Sequence, residues 1–513
     1  MANKKSKKRV IPASTNQNFY NERADDYSEL EQVVGKSLSL WDIKQYHKEV
    51  SLVSFSSRKK QTKEELKKEL VLAVEKGPVL ETIKGKQEKT IPQYYVKTGL
   101  YAGWITVDDV TFDIKPNCND SLYKRMLNFA NHIYVDKNTE SGDKDKDSDF
   151  PVIKYLFLNS LQKVSVLGLP QEYSKRKYHD MKVHGGVDVQ NYIKRDIPFT
   201  GRISSQKNER HYVQDIVDVL YFALKACDKT LSDDFQRLNL IKNELCTSFS
   251  GKFPTAQTIK KAQSHRVLNN PMFADFKDTL QFAELVIHHE NIIPNSEESK
   301  SKMSGYLLDI ASLWEVYLER LLSRNLGEWR LSAQEELKLY NGCFFERSNY
   351  PDLVLRKKDD PSKVVVLDAK FKKMQFKNTD VDRGDLHQIH SYAGYYRENG
   401  DKIVLCGLIY PLSEEPVQNE EPDKNKKKLH GPLYGLDESK TLFVIDGIYK
   451  GKKSKQENSQ KTYDNAAESA EDENSVISEE LDKEYSYVEA EKAFIGRLQK
   501  YLNKGVEILK ENQ

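Results

Sequence analysis

The chain lacks the features that mark several large classes of protein: long apolar runs, paired cysteines and an excess of charge of one sign. No run of about 18 apolar residues occurs, which excludes a membrane-spanning helix. Five cysteines are scattered without a Cys-x-x-Cys pair, which argues against a zinc module and favours a reducing, cytoplasmic location. The formal net charge is only +2, so the protein does not coat nucleic acid by bulk charge, although a local basic groove is compatible with this balance.

The sequence also lacks a complete phosphate-binding loop. Gly35-Lys36-Ser37 matches the end of the GxxxxGK[ST] pattern, but Leu30 stands where the pattern requires its first glycine. No other match occurs, so we expect the chain not to hydrolyse nucleotides. The basic residues 1–9 are not followed by an apolar segment, so they do not read as a signal peptide.

The chain is longer than one ordinary domain, so we expect several. Polar stretches rich in charged residues, which do not order by themselves, mark the joints at 137–149, 413–428 and 451–480. The predicted segments are an N-terminal α/β domain (1–150), a central segment with a helical connector (151–300), a third domain (301–450), and an acidic disordered linker with a C-terminal helix (451–513).

Local patterns give these segments a secondary structure. Alternation over 94–114 predicts strands, whereas apolar residues three and four apart predict helices over 214–224 and 235–245. Residues 60–76 also read as a helix, which would open with a capping box at Thr62 and Glu65. The sequence therefore predicts an α+β multidomain protein.

The most informative stretch is a pair of short β-branched runs separated by a charged turn, which predicts a hairpin over 350–372. Asp352 enters the first strand, while Asp368 and Lys370 lie two apart on one face of the second. Two carboxylates and an ammonium that converge there can hold a divalent cation, polarise a phosphodiester and stabilise the attacking water. The alternative is an ordinary surface hairpin with charged rims.

Upstream of the hairpin, residues 305–322 carry apolar side chains at helical spacing with one buried face. Glu315 lies at the edge of this face, where it could reach a metal. Glu319, one turn later, is the competing candidate, and a solvated helix carboxylate is the alternative interpretation of both.

Downstream of the hairpin, residues 385–396 also have helical spacing. Asp385, Gln388 and Tyr392 share one stripe of this helix, which is either directed towards Lys370 or simply its wet face. Patterns typical of buried strands follow at 402–411 and 441–446.

Taken in this order, Pro351-Asp352 and Asp368-Ala369-Lys370 resemble the signature of the PD-(D/E)xK nuclease superfamily, and the Gln-x-x-x-Tyr spacing resembles its RecB-like branch. Residues 313–318 resemble the Phe-Glu-x-Phe-Val helix of McrC-type proteins, the nuclease subunits of McrBC and LlaJI-like restriction systems. Residues 107–116 and 182–203 are similar to two further segments of that family, although Lys115 and Pro116 stand in the reverse order. The resemblance covers roughly residues 95–450.

The resemblance implies a C-terminal restriction-endonuclease-like α/β/α core at 301–450, preceded by a β-rich domain and a helical connector. It implies one or two Mg²⁺ ions, for which Mn²⁺ should substitute, on Asp352, Asp368 and Glu315. Lys370 would orient the nucleophilic water or offset developing negative charge. Gln388 and Tyr392 would position this lysine or the DNA backbone.

The resemblance also implies a function. The chain would be the DNA-cleaving subunit of a two-component antiviral restriction system, and an AAA+ GTPase partner would dock on its N-terminal half, to about residue 205. Two alternatives stay open: a stand-alone nuclease of DNA repair or phage defence, and a non-catalytic binding scaffold that keeps a nuclease-like fold.

Overall fold

A computed structural model describes most of the chain. The described residues are 10–16, 18–20, 28–47, 50–55, 63–84, 87–108, 110–130, 152–227, 238–289, 303–339, 342, 344, 347–372, 381–412, 433–436, 441–449 and 487–511. The predicted disordered linker and the two polar loops at 137–149 and 413–428 lie outside these residues, as does Thr62 of the predicted capping box.

The described strands form five sheets. In chain order they are β1 (Val10–Ser14), β2 (Asn18–Tyr20), β3 (Ser37–Ser39), β4 (Val50–Val53), β5 (Leu70–Lys84), β6 (Gln87–Thr98), β7 (Tyr101–Val107), β8 (Val110–Lys115), β9 (Gln171–Asp180), β10 (Gly186–Val187), β11 (Ile203–Tyr212), β12 (Met303–Asp309), β13 (Trp329–Ala333), β14 (Leu337–Leu339), β15 (Arg347–Asn349), β16 (Leu353–Lys357), β17 (Lys363–Ala369), β18 (Lys402–Pro411), β19 (Leu433–Leu436) and β20 (Leu442–Ile448).

The α-helices of the described residues, in chain order, are α1 (Leu40–Tyr46), α2 (Lys63–Lys68), α3 (Asp120–Ala130), α4 (Val152–Ser165), α5 (Val189–Arg195), α6 (Gln214–Ala226), α7 (Leu238–Ser248), α8 (Ala256–Gln263), α9 (Phe276–His289), α10 (Ile310–Asn325), α11 (Arg383–Glu398) and α12 (Tyr487–Glu511). The predicted mixed α+β class is confirmed. Within the described part of the chain, no helix is both long enough and apolar enough to cross a membrane.

The chain forms two compact units: Met1–Lys144 together with Ser301–Gln513, and Asp145–Lys300. The second unit contains α4 and α6 to α9, and a three-stranded antiparallel sheet in the order β10-β11-β9. In the first unit, strands β1 to β8 together with β12 form a five-stranded sheet, β1-β8-β7-β12-β4, and a four-stranded sheet, β2-β6-β5-β3. The finer division of the chain into four segments stays a prediction.

A six-stranded mixed sheet in the order β13-β16-β17-β18-β20-β19 forms the C-terminal part of the first unit. Strands β17, β18 and β20 are parallel and almost continuously buried, as expected for strands covered on both faces. Val364 and Val366 of β17 share a core cluster with Ile389 and Tyr392 of α11. The even-numbered side chains of β17 therefore face α11, and this parity continues to Asp368.

The helix predicted over 305–322 is wrong at its start. Met303–Asp309 is the strand β12, which pairs antiparallel with β7 and parallel with β4, and the helix begins only at Ile310. The Asp309 side chain caps it by accepting a hydrogen bond from the backbone N–H of Ser312 at 3.0 Å. Pairing with strands distant in sequence therefore overrides the local helical spacing.

The helix predicted over 60–76 is likewise wrong beyond Lys68, since Leu70–Lys84 is the strand β5. The strands predicted within 94–114 and the helix predicted at 214–224 are confirmed by β6 to β8 and α6, and the helix predicted at 235–245 is confirmed by α7 from residue 238 on, since 235–237 lie outside the described residues. The hairpin, the helix at 385–396, the two strands that follow it and the C-terminal helix are confirmed as well.

The C-terminal helix α12 is fixed to the six-stranded sheet by a buried ion pair. The guanidinium of Arg497 donates to both carboxylate oxygens of Asp446, at 2.9 and 3.0 Å, and to the carbonyl of Gly447 at 2.8 Å. Gly505 allows a close approach, because a Cβ there would lie 2.3 Å from the carbonyl oxygen of Val404. The helix therefore packs directly on the backbone of β18.

Removing the cation of this pair leaves the buried Asp446 carboxylate without its partner. We expect Arg497→Ala to lower the free energy of unfolding by about 3–5 kcal/mol, measured by urea denaturation. Lys500→Ala, on the exposed side of the same helix, should change it by about 0.5 kcal/mol or less. Equal effects of the two substitutions would contradict this account of how α12 is held.

Candidate active site

The hairpin of β16 and β17 brings together the two aspartates predicted from the sequence. The strands are antiparallel, with Leu353 opposite Leu367, so Asp352 and Asp368 are the next pair along the ladder. The Asp352 carboxylate accepts a hydrogen bond from the backbone N–H of Ala369 at 2.8 Å. The Asp368 side chain is 1% exposed. Both carboxylates therefore lie close together on the sheet and are partly shielded from solvent.

Lys370 follows β17 directly and lies in the same cluster. Its ammonium is 2.6 Å from Asp368 Oδ2 and 3.6 Å from Asp385 Oδ1, and it donates a hydrogen bond to Gln388 Oε1 at 2.9 Å. Gln388 Nε2 in turn donates to the hydroxyl of Tyr392 at 2.7 Å. Gln388 and Tyr392 therefore hold Lys370 from α11, and this stripe is not merely the wet face of the helix.

The two predicted glutamates of α10 differ in their surroundings. Glu315 accepts a hydrogen bond from Gln334 Nε2 at 2.9 Å, and its negative charge raises the pKa of Asp352. The pKa of Glu319 is raised by burial and lowered in part by Arg320. Glu315 is therefore the α10 carboxylate that we associate with the cluster.

Burial and neighbouring charges shift the pKa values of two side chains in the cluster. Burial raises the pKa of Asp352 well above its ordinary value, and the neighbouring carboxylates of Asp368 and Glu315 raise it further. For Lys370, burial alone would lower the pKa, but the carboxylates of Asp368, Asp352 and Asp385 together outweigh it, so the pKa lies above its ordinary value. The amine is therefore protonated at neutral pH and acts as a cation.

The carboxylate oxygens of the two aspartates are suitable ligands for a divalent cation. Neither oxygen of Asp368 has a hydrogen-bond partner within the described part of the chain, although Oδ2 forms the close ion pair with Lys370. Among the described residues, no group of three or more His, Cys, Asp or Glu side chains is arranged as a ready metal site. Mg²⁺ requires less, since it is usually held by one or two carboxylates, several waters and substrate phosphate oxygens. Asp352 and Asp368 fit this description.

Three contacts of the cluster involve residues that were not among the predicted site residues. Asp385 accepts an ion pair from Lys372 at 2.7 Å, the carbonyl of Tyr350 accepts a hydrogen bond from Tyr392, and Gln334 holds Glu315. The position of Asp385 on the Gln388 stripe was the one available signal, because the other two contacts depend on tertiary packing.

The raised pKa of Asp352 predicts a gain in stability on its neutralisation. A carboxyl whose pKa is raised by folding costs stability at every pH above its unfolded value near 4, and one pKa unit corresponds to about 1.4 kcal/mol. In EDTA, Asp352→Asn should therefore become increasingly more stable than the wild type as the pH rises above about 4. Urea denaturation at several pH values measures this difference.

Asp360 provides a control, because its substitution should change the stability in the opposite direction. Hydrogen bonds from Ser362 and Lys363 lower its pKa to about 2, so its ionised form stabilises the fold above its unfolded pKa. Asp360→Asn should therefore lose stability at neutral pH. A stability difference between Asp352→Asn and the wild type that does not vary with pH would refute the account of the cluster.

The chain matches known proteins at the level of a family. The family model described as McrBC 5-methylcytosine restriction system component matches residues 96–411, whereas no curated protein matches. A chain of the refined half-complex from the tetradecameric assembly of Thermococcus gammatolerans McrB AAA+ hexamers with bound McrC is 18% identical, with a TM-score of 0.48 over 86% of this chain and 95% of that one. A chain of the cryo-EM structure of the Thermococcus gammatolerans McrBC complex is 16% identical, with a TM-score of 0.33 over 63% and 89%. Because the family model spans more than half of the sequence, the chain belongs to the family of McrBC 5-methylcytosine restriction system components.

Proposed function

We propose that this chain is the McrC-like subunit of a two-component antiviral restriction system and that it cleaves DNA with Mg²⁺. The hairpin, its flanking helices and the six-stranded sheet would form the PD-(D/E)xK core. The observation that carries the proposal is the Lys370 ammonium 2.6 Å from a buried aspartate whose other oxygen has no hydrogen-bond partner among the described residues. Most buried polar atoms are hydrogen-bonded, so an unpartnered carboxylate oxygen calls for an explanation, and a bound cation would supply it.

Asp352 and Asp368 would hold the metal, with Glu315 as the third carboxylate and Mn²⁺ as a substitute ion. When bound, Mg²⁺ would polarise the phosphodiester and lower the pKa of the attacking water. The chain itself supplies a fixed cation, because Lys370 is held between Asp368 and Gln388. A protonated Lys370 would stabilise developing negative charge on the phosphate and would not act as a general base.

Gln388 and Tyr392 fix the position of the Lys370 ammonium. The pKa of Tyr392 is raised to about 12, chiefly by burial, so its hydroxyl keeps its proton and donates to the carbonyl of Tyr350. The hydroxyl also accepts from Gln388 Nε2, which leaves Gln388 Oε1 directed at Lys370. These two residues would therefore set the position of Lys370 before substrate arrives.

A partner must supply nucleotide hydrolysis, since this chain offers no phosphate-binding loop. Gly35-Lys36-Ser37, the partial match, leads into the strand β3 and not into a helix. Lys36 there forms an ion pair with Asp108. We therefore assign GTP hydrolysis to an McrB-like AAA+ subunit, in accordance with the division of labour that the family resemblance implies.

A partner-docking surface is proposed on residues 171–212, which include the end of the N-terminal half first expected to dock. Met181, Ile193 and Phe199 in this segment are 77%, 60% and 62% exposed. Contiguous exposed apolar surface is characteristic of interaction sites, and these three side chains lie within one short segment of the sequence. Met181 directly follows β9, Ile193 lies in α5 and Phe199 lies in the loop after α5.

The catalytic assignment is tested by removing either charge of the central ion pair. With Mg²⁺ and the partner ATPase or GTPase present, Asp368→Asn and Lys370→Ala should each reduce DNA cleavage by at least about 100-fold, because the first removes a charged metal ligand and the second removes the cation that would stabilise the reacting phosphate. Gel assays of cleavage and thermal melting of the same samples measure activity and folding together. EDTA should abolish cleavage by the wild type.

Lys358→Ala is the matched control, because Lys358 is an exposed lysine in the turn of the same hairpin. It should cut at the wild-type rate. A folded Asp368→Asn or Lys370→Ala protein with full activity would remove the cluster from catalysis. Cleavage by the pure chain without a partner would favour a stand-alone nuclease, and no cleavage under any condition would favour a scaffold.

The docking surface is tested by placing a charge on it. Ile193→Asp and Phe199→Asp should each weaken binding to the partner by at least about tenfold, measured by sedimentation, while Mg²⁺ binding stays unchanged. Leu240→Asp, at a residue that is 82% exposed on α7, is the control and should bind as the wild type does. If all three variants bind the partner as strongly as the wild type does, the partner docks elsewhere.

A further inference from the structure

Gln334 is hydrogen-bonded to the backbone of Asp352 and to the side chain of Glu315. It follows β13 directly and has a φ of 49°, a left-handed conformation that glutamine rarely adopts. Its backbone N–H donates to the carbonyl of Asp352 at 3.1 Å, and its side-chain Nε2 donates to Glu315 Oε2 at 2.9 Å. One residue thus connects the strand that carries Asp352 with the helix that carries Glu315.

This connection opposes an electrostatic repulsion. Gln334 is hydrogen-bonded to both Asp352 and Glu315, so the two carboxylates belong to one neighbourhood, where their negative charges repel each other. A glutamate on a helix can adopt several side-chain rotamers, and repulsion favours those that point away from the cluster. The neutral amide of Gln334 holds the carboxylate without adding a further charge, and its left-handed backbone lets its N–H and its side chain act on the same cluster.

We propose that Gln334 is a positioning residue that orients Glu315 for metal binding, an inference that rests on the proposed function. The carboxylates do not form a ready metal site by themselves. Gln334 confines Glu315 to the side of Asp352, where it can join the ligand set. Hydrogen bonds to ligating carboxylates are a general feature of metal sites, and their loss typically costs about 10–100-fold in metal affinity.

The test is a calorimetric titration of the pure full-length chain with Mg²⁺, without DNA or partner. Gln334→Ala removes the amide and keeps the backbone conformation, whereas Gln334→Gly also removes the backbone strain. Both should bind Mg²⁺ about 10–100-fold more weakly than the wild type. Their melting temperatures, taken in EDTA, show whether either variant has lost its fold.

The chain offers a matched control in Gln263. Its Nε2 donates to Glu284 Oε2 at 2.7 Å, so Gln263→Ala removes the same kind of amide–carboxylate hydrogen bond in the other compact unit. This variant should bind Mg²⁺ as the wild type does. A loss of affinity in both Gln334→Ala and Gln263→Ala would show a general effect on folding and would overturn the proposal.

A double substitution separates positioning from a structural role. If Gln334 acts through Glu315, then Gln334→Ala should change the Mg²⁺ affinity of the Glu315→Gln protein by no more than about twofold. If the two residues act independently, the losses should multiply, and the proposal is wrong. Normal Mg²⁺ affinity of Gln334→Gly would also overturn it, because the amide would then be dispensable.

The outcomes distinguish this inference from the proposed function. A wild-type protein that neither binds Mg²⁺ nor cuts DNA with its partner would refute the function and the inference together. If the wild type binds Mg²⁺, Asp368→Ala abolishes binding and Gln334→Ala binds normally, the function stands and the inference falls.

Discussion

The register of the β16–β17 hairpin is the constraint on which the rest of the site depends. Side chains alternate between the two faces of a strand, so a slip of one residue would turn Asp368 and Lys370 away from α11. The hydrogen bond from the backbone N–H of Ala369 to the Asp352 carboxylate fixes this register at the end of the hairpin that carries the two aspartates. The parallel pairing of β17 with β18 fixes it from the other side, where Lys370 N–H donates to the carbonyl of Ile409 at 3.0 Å.

Once the register is set, burial makes the site costly to assemble. Asp368 and Glu315 both disfavour the ionised form of the buried Asp352 carboxyl, and Lys370 compensates only part of this effect. Polar side chains from other elements hold the arrangement in place. Gln388 and Tyr392 act on the lysine, while Gln334 acts on Glu315. Such stored repulsion is expected where a cation is to be bound, because the cation relieves it.

Much of this arrangement could be predicted because it is local in sequence. The hairpin, α11 and the buried strand β18 follow from alternation, helical spacing and turn residues over short windows. The start of α10 could not be found in this way. Leu307 and Ile310 are spaced as in a helix, but Leu307 pairs with Gly103 and Leu52 of distant strands. Gln334 gave no signal, since it reaches Glu315 only after β13 has paired with β16.

The central claim is that Asp352 and Asp368 bind a catalytic divalent cation. Anomalous diffraction from a crystal of the protein soaked in Mn²⁺ tests it most directly. The account predicts a peak within coordination distance of both carboxylates in the wild type and its loss in Asp368→Ala. A well-ordered wild-type crystal with no peak at these carboxylates, from protein that cleaves DNA in solution with Mn²⁺, would contradict it.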